Sequence, residues 1–483
     1  MTKFEASLTS LKEHQVPQWY DDAKFGIFIH WGMWAVPSFA ASSGSIGEVF
    51  ARDYDIAVAQ TPYTEWYANA IKVPESDSAK YHKDVWKGVP YEDFRAPFLK
   101  GLEQWDPKAW ARLFRQSGAK YVVLVTKHHD GYSLWPSDVA HPHKEGWHTE
   151  RDIVGELGAA VRAEGLAYGL YYSGGIDWSF NPEPLRTLGD FIGSTPDGDY
   201  PAYAVAQVKE LIDKYKPSIL WNDISWPTPQ DEMNETFAYY YNNVPEGVVN
   251  DRWMPVTARS KQMRSKEARA KFDEMAKARM STGPVNKGII PQEPPHYDFR
   301  TPEYASFDDI QPRKWEATRG MSHSFGFNHN DTDADYLTVT EIIHGFADAV
   351  SKNGNLLLNV GPRGLDAQIP VEQSSRLEAF GRWMEKNGEA IYGTRPWVRA
   401  DGMTADNVPV RFTAKGKALN AIVLGVPKGG EVTLCDLKPV DDATLTLLGH
   451  GAVTWRQAGR DVVVDLPVLE DTPAYTISIS KVA

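Results

Sequence analysis

Several carboxylates in this sequence lie where an apolar run gives way to polar residues. The clearest is Asp223, which ends the run Ser218 to Trp221 and stands between Trp221 and Trp226. A carboxylate at the end of a buried strand, walled by indole rings, is where a sugar-processing barrel would hold a nucleophile. The alternative is an N-cap aspartate at a strand-to-helix turn, which is commoner per aspartate. The other candidates at presumed strand ends are Asp130, Asp251, Asp298, Glu303 and Glu316.

Two of these carboxylates would be needed for sugar chemistry. A retaining glycosidase uses one ionised carboxylate as nucleophile and one protonated carboxyl as acid, about 5–5.5 Å apart. A given aspartate is more often a helix cap or an ion-pair partner than a catalyst. The residue types and their spacing therefore leave several of the candidates open.

The histidines admit a metal-dependent alternative. His128 and His129 are adjacent, so on a regular strand they point to opposite sides, and both face the mouth only if the strand ends or bulges there. His141 and His143 have the H-x-H spacing of some metal-dependent barrel hydrolases, but they follow a polar loop rather than an apolar strand, which favours a solvated loop. Glu65 begins a Glu-Trp-Tyr run that either lines a sugar pocket or is a buried aromatic pair with a capping glutamate.

Composition narrows the class of protein. The chain has 483 residues, enough for a large barrel and a smaller second domain, and its 17 Trp and 22 Tyr favour stacking on sugar rings. A net charge of −13 argues against a nucleic-acid partner. The single cysteine, Cys435, forms no intramolecular disulfide and indicates a reducing compartment. Residues 1–15 lack an apolar core and no apolar run approaches membrane-spanning length, so we expect a cytoplasmic protein without membrane partners.

Alternating apolar strands and amphipathic helices predict the architecture. Strands are predicted at 25–32, 121–126, 167–172, 218–222, 247–253 and 355–362, and helices at 107–117, 152–164, 203–215 and 373–388. Polar residues follow several separate strands, which favours a closed barrel with its site at the carboxyl-terminal mouth over a dinucleotide-binding sheet. No G-x-G-x-x-G or phosphate loop is found, so no nucleotide cofactor is expected.

The alternation of strands and helices is interrupted at two places in the sequence. Beyond Thr394 the apolar period becomes two, which predicts a small β-sandwich. The predicted fold is thus α/β, a (β/α)8-like barrel over 1–394 followed by a C-terminal β-sandwich over 395–483. Residues 255–290 hold nine Lys or Arg against three Asp or Glu and predict an exposed helix, chiefly over 265–280, inserted into a mouth loop. A solvated surface excursion is favoured over a lid or a partner site.

Taken together, these motifs resemble those of the α-L-fucosidases of glycoside hydrolase family 29. The matching text is WYDDAKFGIFIHWG (19–32), EWY (65–67), KHHDG (127–131), YYS (171–173), LWND (220–223), NDRW (250–253) and NLLLNVGP (355–362). The resemblance implies a retaining exo-hydrolase of fucosylated glycosides, built as a barrel followed by a β-sandwich, with no metal or organic cofactor.

The resemblance also implies roles for individual residues. The family's nucleophile falls on Asp223, and the acid/base of the most similar members, in a D-F-x-T-x-E-Y segment, falls on Glu303, with Arg252 beside it. Glu316 is the fallback for the acid, because the basic excursion directly precedes this segment. The fucose-binding residues of the family fall on His30, Glu65, Trp66, His128, His129, Tyr171 and Trp226.

Two other functions stay open at this point. One is a metal-dependent barrel hydrolase that uses His141 and His143, and the other is a non-catalytic glycan-binding protein on the same scaffold. The carboxylate pair Asp223 and Glu303 favours an enzyme. The aglycone, the linkage and the oligomeric state stay open, with a homo-oligomer among the options.

Overall fold

A parallel sheet forms the centre of the larger part of the protein. Within residues 3–280, 288–427 and 429–482, which the computed structural model describes, seven strands lie in the order β5–β4–β3–β2–β1–β7–β6. They are β1 (Phe25–Ile29), β2 (Tyr121–Lys127), β3 (Ala167–Ser173), β4 (Ile219–Asp223), β5 (Val248–Val249), β6 (Trp315–Arg319) and β7 (Gly354–Val360). Neighbouring strands pair in parallel. Most are buried along their whole length, which explains their continuous apolar runs.

Residues 298–303, which we call the closing segment, lie between the two edge strands β5 and β6. Phe299 bridges to Asn250 after β5, while Arg300 and Glu303 bridge to Trp315 and Thr318 of β6. The Asp298 amide donates to Val249 O at 3.0 Å, and the Glu316 amide donates to Arg300 O at 2.8 Å. The closing segment therefore occupies the eighth position and joins the two edges, as a (β/α)8-like barrel requires.

Helices cover the outside of the sheet. The helices are α1 (Leu8–Leu11), α2 (Gln18–Ala23), α3 (Ile46–Asp53), α4 (Tyr67–Ala70), α5 (Asp77–Trp86), α6 (Arg95–Gly101), α7 (Pro107–Gln116), α8 (Ile153–Ala163), α9 (Leu188–Ile192), α10 (Tyr200–Tyr215), α11 (Gln230–Asn243), α12 (Ala258–Gln262), α13 (Lys266–Met280), α14 (Val339–Ser351) and α15 (Val371–Asn387). Helix α7 begins where the sequence indicates, because Asp106 caps it by accepting from the amides of Lys108 and Ala109 and Pro107 opens it. No helix among the described residues combines the length and apolar character needed to cross a bilayer.

The basic excursion contains the predicted exposed helix. Helix α13 has no buried residue, as its alanine, lysine and methionine content indicates. Its Asp273 side chain accepts hydrogen bonds from Tyr54, Thr187 and the amide of Gly189, and Arg269 and Lys277 form ion pairs with Asp190 and Asp55. The predicted range 255–290 also includes residues 281–287, which lie outside the described residues.

Antiparallel strands begin at Arg395, next to the predicted boundary at 394. They are β8 (Arg395–Met403), β9 (Pro409–Lys415), β10 (Ala418–Val423), β11 (Glu431–Leu434), β12 (Leu445–Leu447), β13 (Gly451–Val453), β14 (Trp455–Ala458), β15 (Asp461–Asp465) and β16 (Tyr475–Ile479). They form a six-stranded sheet, β13–β12–β16–β10–β9–β8, and a three-stranded sheet, β11–β15–β14. Alternate residues of both sheets share one apolar core, so this region is the predicted β-sandwich.

Candidate active site

Asp223 is the last residue of β4 and reaches into the barrel mouth. Its Oδ1 accepts the amide of Ile224 at 2.8 Å and lies 3.1 Å from Nη1 of Arg252, and its Oδ2 accepts Tyr171 OH at 2.7 Å. The chain turns sharply after it, because Ile224 has a φ of 67°, a strained value for a β-branched residue. Several donors thus hold the carboxyl group of Asp223 in one orientation.

Glu303 lies at the end of the closing segment and shares Arg252 with Asp223. Its Oε2 is 2.9 Å from Nη2 of Arg252, and its Oε1 accepts Tyr63 OH at 3.0 Å. Arg252 is itself fixed by Thr301, which accepts from Nε at 3.1 Å and from Nη2 at 3.2 Å. Burial by itself lowers the pKa of Arg252, but the charges of Glu303 and Asp223 outweigh burial and raise that pKa above its ordinary value. One guanidinium therefore holds both carboxylates.

Glu316 lies inside the barrel and does not reach the mouth. Its carboxylate accepts hydrogen bonds from Tyr20 OH at 2.8 Å, Tyr121 OH at 2.5 Å and Trp221 Nε1 at 3.3 Å. Burial raises its pKa to about 7. Glu316 is fully buried, whereas Glu303 keeps 8% of its surface exposed. This placement argues against the fallback assignment of Glu316 as the acid, because its carboxylate is enclosed by protein donors.

The two adjacent histidines lie just beyond the end of β2. The strand ends at Lys127, so His128 and His129 belong to the turn that follows and are not bound to the alternation of a regular strand; the pairing of β2 with β3 also shifts register between Val125 and Lys127. His128 and His129 are both buried with ring centroids 4.0 Å apart. His128 stacks on Tyr171 at 5.6 Å, and within the described residues its Nδ1 has no hydrogen-bond partner. His129 bonds through Nδ1 to Ser173 at 2.7 Å, and its Nε2 lies 3.9 Å from Asp223 Oδ2.

The imidazoles of the site are neutral. Burial lowers the pKa of His129 to about 4 and that of His30 to about 3, and it places the pKa of His128 well below its ordinary value. His30 follows β1 and is oriented by Asn359 at the end of β7, 2.6 Å from its Nδ1. A neutral imidazole offers one donor and one acceptor, which suits the hydroxyl groups of a sugar.

Glu65 and Trp66 form another wall of the site. Glu65 is buried, accepts the amide of Gly326 at 2.9 Å, and has its pKa raised by burial to about 7. The Trp66 ring meets the rings of His129 and Trp178 edge to face, at centroid distances of 4.9 and 5.4 Å. The wall is thus part carboxyl and part aromatic.

Trp226 is packed among other aromatic rings. Its ring is fully buried, with its centroid 4.8 Å from that of Trp253 and 6.3 Å from that of Tyr172. Its Nε1 has no hydrogen-bond partner among the described residues. The other predicted sugar contacts are also nearly fully buried, so the assignment of Trp226 as a sugar contact stays a prediction.

Sequence reasoning missed Tyr63, Asn359 and Trp178 as members of the site. Tyr63 lies in the long connection after β1, and its partner Glu303 is 240 residues away. Asn359 was inside a recognised motif, and an amide at the end of a buried strand was a usable signal. Trp178 gave no local signal, because only the fold brings its ring to Trp66.

The structure weakens the metal-dependent alternative. His141 binds Ser179 through Nε2 at 2.7 Å, and its Nδ1 accepts the amides of His143 and Lys144, both at 3.0 Å. Both ring nitrogens of His141 are therefore engaged by protein. Among the described residues, His128, His129 and Asp223 are the group whose ligand atoms lie together, within 4.8 Å. Arg252, 3.1 Å from Asp223, already supplies positive charge there.

A barrel mouth with a bridged carboxylate pair, neutral imidazoles and aromatic walls has the groups that a glycoside hydrolase uses. Comparison with known proteins narrows the class. The α-L-fucosidase family profile matches residues 1–389. The chain is 32% identical to an α-L-fucosidase of Branchiostoma floridae, over 96% of this chain and 92% of that one, and 31% identical to the tissue α-L-fucosidase of Mus musculus, over 99% and 95%.

A solved structure agrees with the sequence relatives. The Thermotoga maritima α-fucosidase in complex with a mechanism-based inhibitor superposes with a TM-score of 0.82 at 37% identity, over 99% of this chain and all of that one. This chain belongs to the α-L-fucosidase family, glycoside hydrolase family 29. It is a retaining exo-hydrolase of α-L-fucosides.

Proposed function

We propose that Asp223 is the nucleophile and Glu303 the general acid/base in the hydrolysis of terminal α-L-fucosides of oligosaccharides. The observation that carries the proposal is the guanidinium of Arg252, 3.1 Å from Asp223 and 2.9 Å from Glu303. The pair stands at the carboxyl-terminal ends of two barrel positions, where barrel enzymes hold their catalytic groups.

In the first step Asp223 attacks the anomeric carbon of fucose. The bond to the departing oxygen breaks while Glu303 gives that oxygen a proton, and a fucosyl ester of Asp223 forms. The hydrogen bonds from Tyr171 and the Ile224 amide keep the attacking carboxylate aligned.

In the second step Glu303 acts as a base. Once Asp223 is esterified, it no longer carries the negative charge that shared Arg252. The guanidinium is then left to stabilise ionised Glu303, which takes a proton from water as the water attacks the anomeric carbon. Two inversions give fucose with retained configuration.

Recognition of the sugar rests on neutral groups around the carboxylate pair. His30, His128 and His129 offer donors and acceptors to hydroxyl groups, and Glu65 adds a carboxyl of raised pKa. Trp66 supplies apolar surface for the methyl group of a 6-deoxy sugar.

We also propose a cytoplasmic location for the protein. The support is the single cysteine, Cys435, which suits a reducing compartment. Fractionation of the source cells with activity assays of each fraction tests this, and activity confined to the secreted or membrane fraction contradicts it.

The test of the mechanism is Asp223→Ala assayed on nitrophenyl α-L-fucoside. Loss of the nucleophile should lower kcat on the order of 10⁴-fold or more while the fold survives. Added azide should restore turnover and give a fucosyl azide of inverted configuration. Asp138→Ala is the matched control, since Asp138 pairs with Lys214 on the surface with 87% of its side chain exposed. Substantial activity of Asp223→Ala without azide contradicts the assignment.

A further inference from the structure

A second cavity adjoins the wall of the fucose pocket. Its volume is about 620 Å³, large enough for one or two sugar rings, and it lies between α4, α5 and the loops after β2 and β3. Trp178 lines it, and the same ring meets Trp66 and His129 of the fucose pocket at centroid distances of 5.4 and 5.5 Å. One indole thus separates the two spaces.

The charge of this cavity is opposite to that of the chain. Among its described lining residues, four are lysines (Lys72, Lys80, Lys83 and Lys144) and two are acids (Glu92 and Asp130), in a chain of net charge −13. Lys80 pairs with Asp77 and Lys144 with Glu92.

Two ammonium groups of the cavity form no ion pair. Among the described residues no carboxylate forms an ion pair with Lys72 or Lys83, and Lys72 Nζ donates only to the carbonyl of Pro182, at 3.0 Å. Burial and the neighbouring charge of Lys144 lower the pKa of Lys72, although the charges of Glu92 and Glu183 oppose this shift. An anion close to Lys72 and Lys144 would relieve the repulsion between their ammonium groups.

The same cavity offers surfaces that suit a sugar ring. Tyr91, Trp147 and Trp178 line it, and Lys144 lies over the Trp147 ring at 4.1 Å. The Nε1 of Trp178 is buried and, among the described residues, has no acceptor. Asp130 is also buried and accepts Tyr91 OH at 2.8 Å. Aromatic faces next to ammonium groups are elements of a site that holds a sugar ring carrying an anionic group.

We propose that this cavity binds an acidic sugar, one that carries a sulfate or a carboxylate group. The lysines hold the anionic group and the aromatic rings hold the sugar ring. The site is separate from the fucose pocket, so its occupation does not depend on the catalytic roles of Asp223 and Glu303.

The test is a binding titration of the full chain by calorimetry, in the presence of saturating L-fucose. The probes are galactose 3-sulfate, N-acetylneuraminic acid, neutral galactose and inorganic sulfate. At least one of the two acidic sugars should bind. Galactose, which lacks the anionic group, and inorganic sulfate, which lacks the sugar ring, should each bind at least about tenfold more weakly. The acidic sugar that binds more tightly identifies the group that the lysines recognise.

A variant of the lysines decides whether the cavity is responsible. Lys72→Gln/Lys83→Gln should weaken binding of the acidic sugar about tenfold, while Lys100→Gln, exposed on α6 outside the cavity, should not. Unchanged turnover of nitrophenyl fucoside by both variants shows that they are folded. If the double variant is unstable, Lys83→Gln alone is titrated and should weaken binding several-fold. Equal binding of galactose, equal binding of inorganic sulfate, or unaltered binding by the lysine variants would each overturn the proposal.

Discussion

Glu303→Ala should chiefly lower activity, whereas Glu316→Ala should chiefly lower the stability of the fold. Glu303 is the proposed acid, and its effect depends on how much the departing oxygen needs a proton. A nitrophenolate leaves without one, so Glu303→Ala should spare the first step on nitrophenyl fucoside and slow hydrolysis of the fucosyl-enzyme. For that substrate kcat and KM should then fall together. On a fucosylated oligosaccharide, activity should fall about 10²–10⁴-fold.

The structural cost of the two substitutions follows from the donors that each leaves behind. Glu316→Ala removes the acceptor of Tyr20, Tyr121 and Trp221, all buried. At about 1–3 kcal/mol for each of the three unsatisfied donors, the free energy of unfolding should fall by roughly 3–9 kcal/mol. Glu303→Ala leaves Tyr63 without its acceptor, while Arg252 keeps Asp223 and Thr301, so a loss of only about 1–3 kcal/mol is expected.

Azide tests whether Glu303 serves in hydrolysis of the fucosyl-enzyme. In Glu303→Ala, azide should attack the accumulated fucosyl-enzyme, raise kcat on nitrophenyl fucoside and give a fucosyl azide of retained configuration. Denaturant unfolding of both variants measures the stability difference. The reasoning is refuted if Glu303→Ala loses the same activity on both substrates and yields no azide product. It is also refuted if Glu316→Ala is stable and shows the leaving-group dependence instead.

Three further predictions concern the surroundings of the site. Because burial raises the pKa of Glu316 to about 7, above its ordinary 4.5, the folded protein keeps a proton that the unfolded chain releases. The free energy of unfolding should therefore decline as the pH rises from about 5 to 8, by about 3 kcal/mol at most. Thermal unfolding across that range should show a smaller decline for Glu316→Gln. A steeper decline for this variant would contradict the prediction. Asp273→Ala should remove two hydrogen bonds between α13 and the start of α9 and a third from Tyr54. Because Phe191 of α9 meets the Trp66 ring at a centroid distance of 6.0 Å, KM for aryl fucoside should rise more than kcat falls. Lys277→Ala, which breaks an exposed ion pair, should change neither, and equal kinetics of the two variants would show that α13 only covers surface. Incubation with a chelator should leave turnover unchanged, since both nitrogens of His141 are engaged, and loss of activity restored by added metal would revive the metal-dependent alternative.

The strands that could be predicted from the sequence are those whose burial is visible in their own residues. Apolar runs mark β1, β2, β3 and β7 because both faces of these strands are buried, and Asp223 stands out because it ends such a run. The helices that follow were predicted within a few residues for the same reason.

The elements that were missed depend on partners far away in the sequence. Strand β6 reads Trp-Glu-Ala-Thr-Arg and so shows no apolar run. A glutamate can be buried in it because Tyr20 and Tyr121, from other elements, donate hydrogen bonds to Glu316. The closing segment contains Pro302 and forms isolated bridges instead of a ladder, so no period marks it. The register shift of β2 against β3 is not contained in the pattern of β2 alone.

The closing segment also has a consequence for how such an enzyme diversifies. Asp223 belongs to a strand paired on both sides, so lengthening or shortening the chain near it would disturb two ladders at once. Glu303 is carried by a short piece of chain held by single bridges and entered from the basic excursion. Insertions there can change the distance along the sequence between nucleophile and acid without moving either in space. The sheet thus constrains the sequence position of the nucleophile, whereas the sequence position of the acid can change.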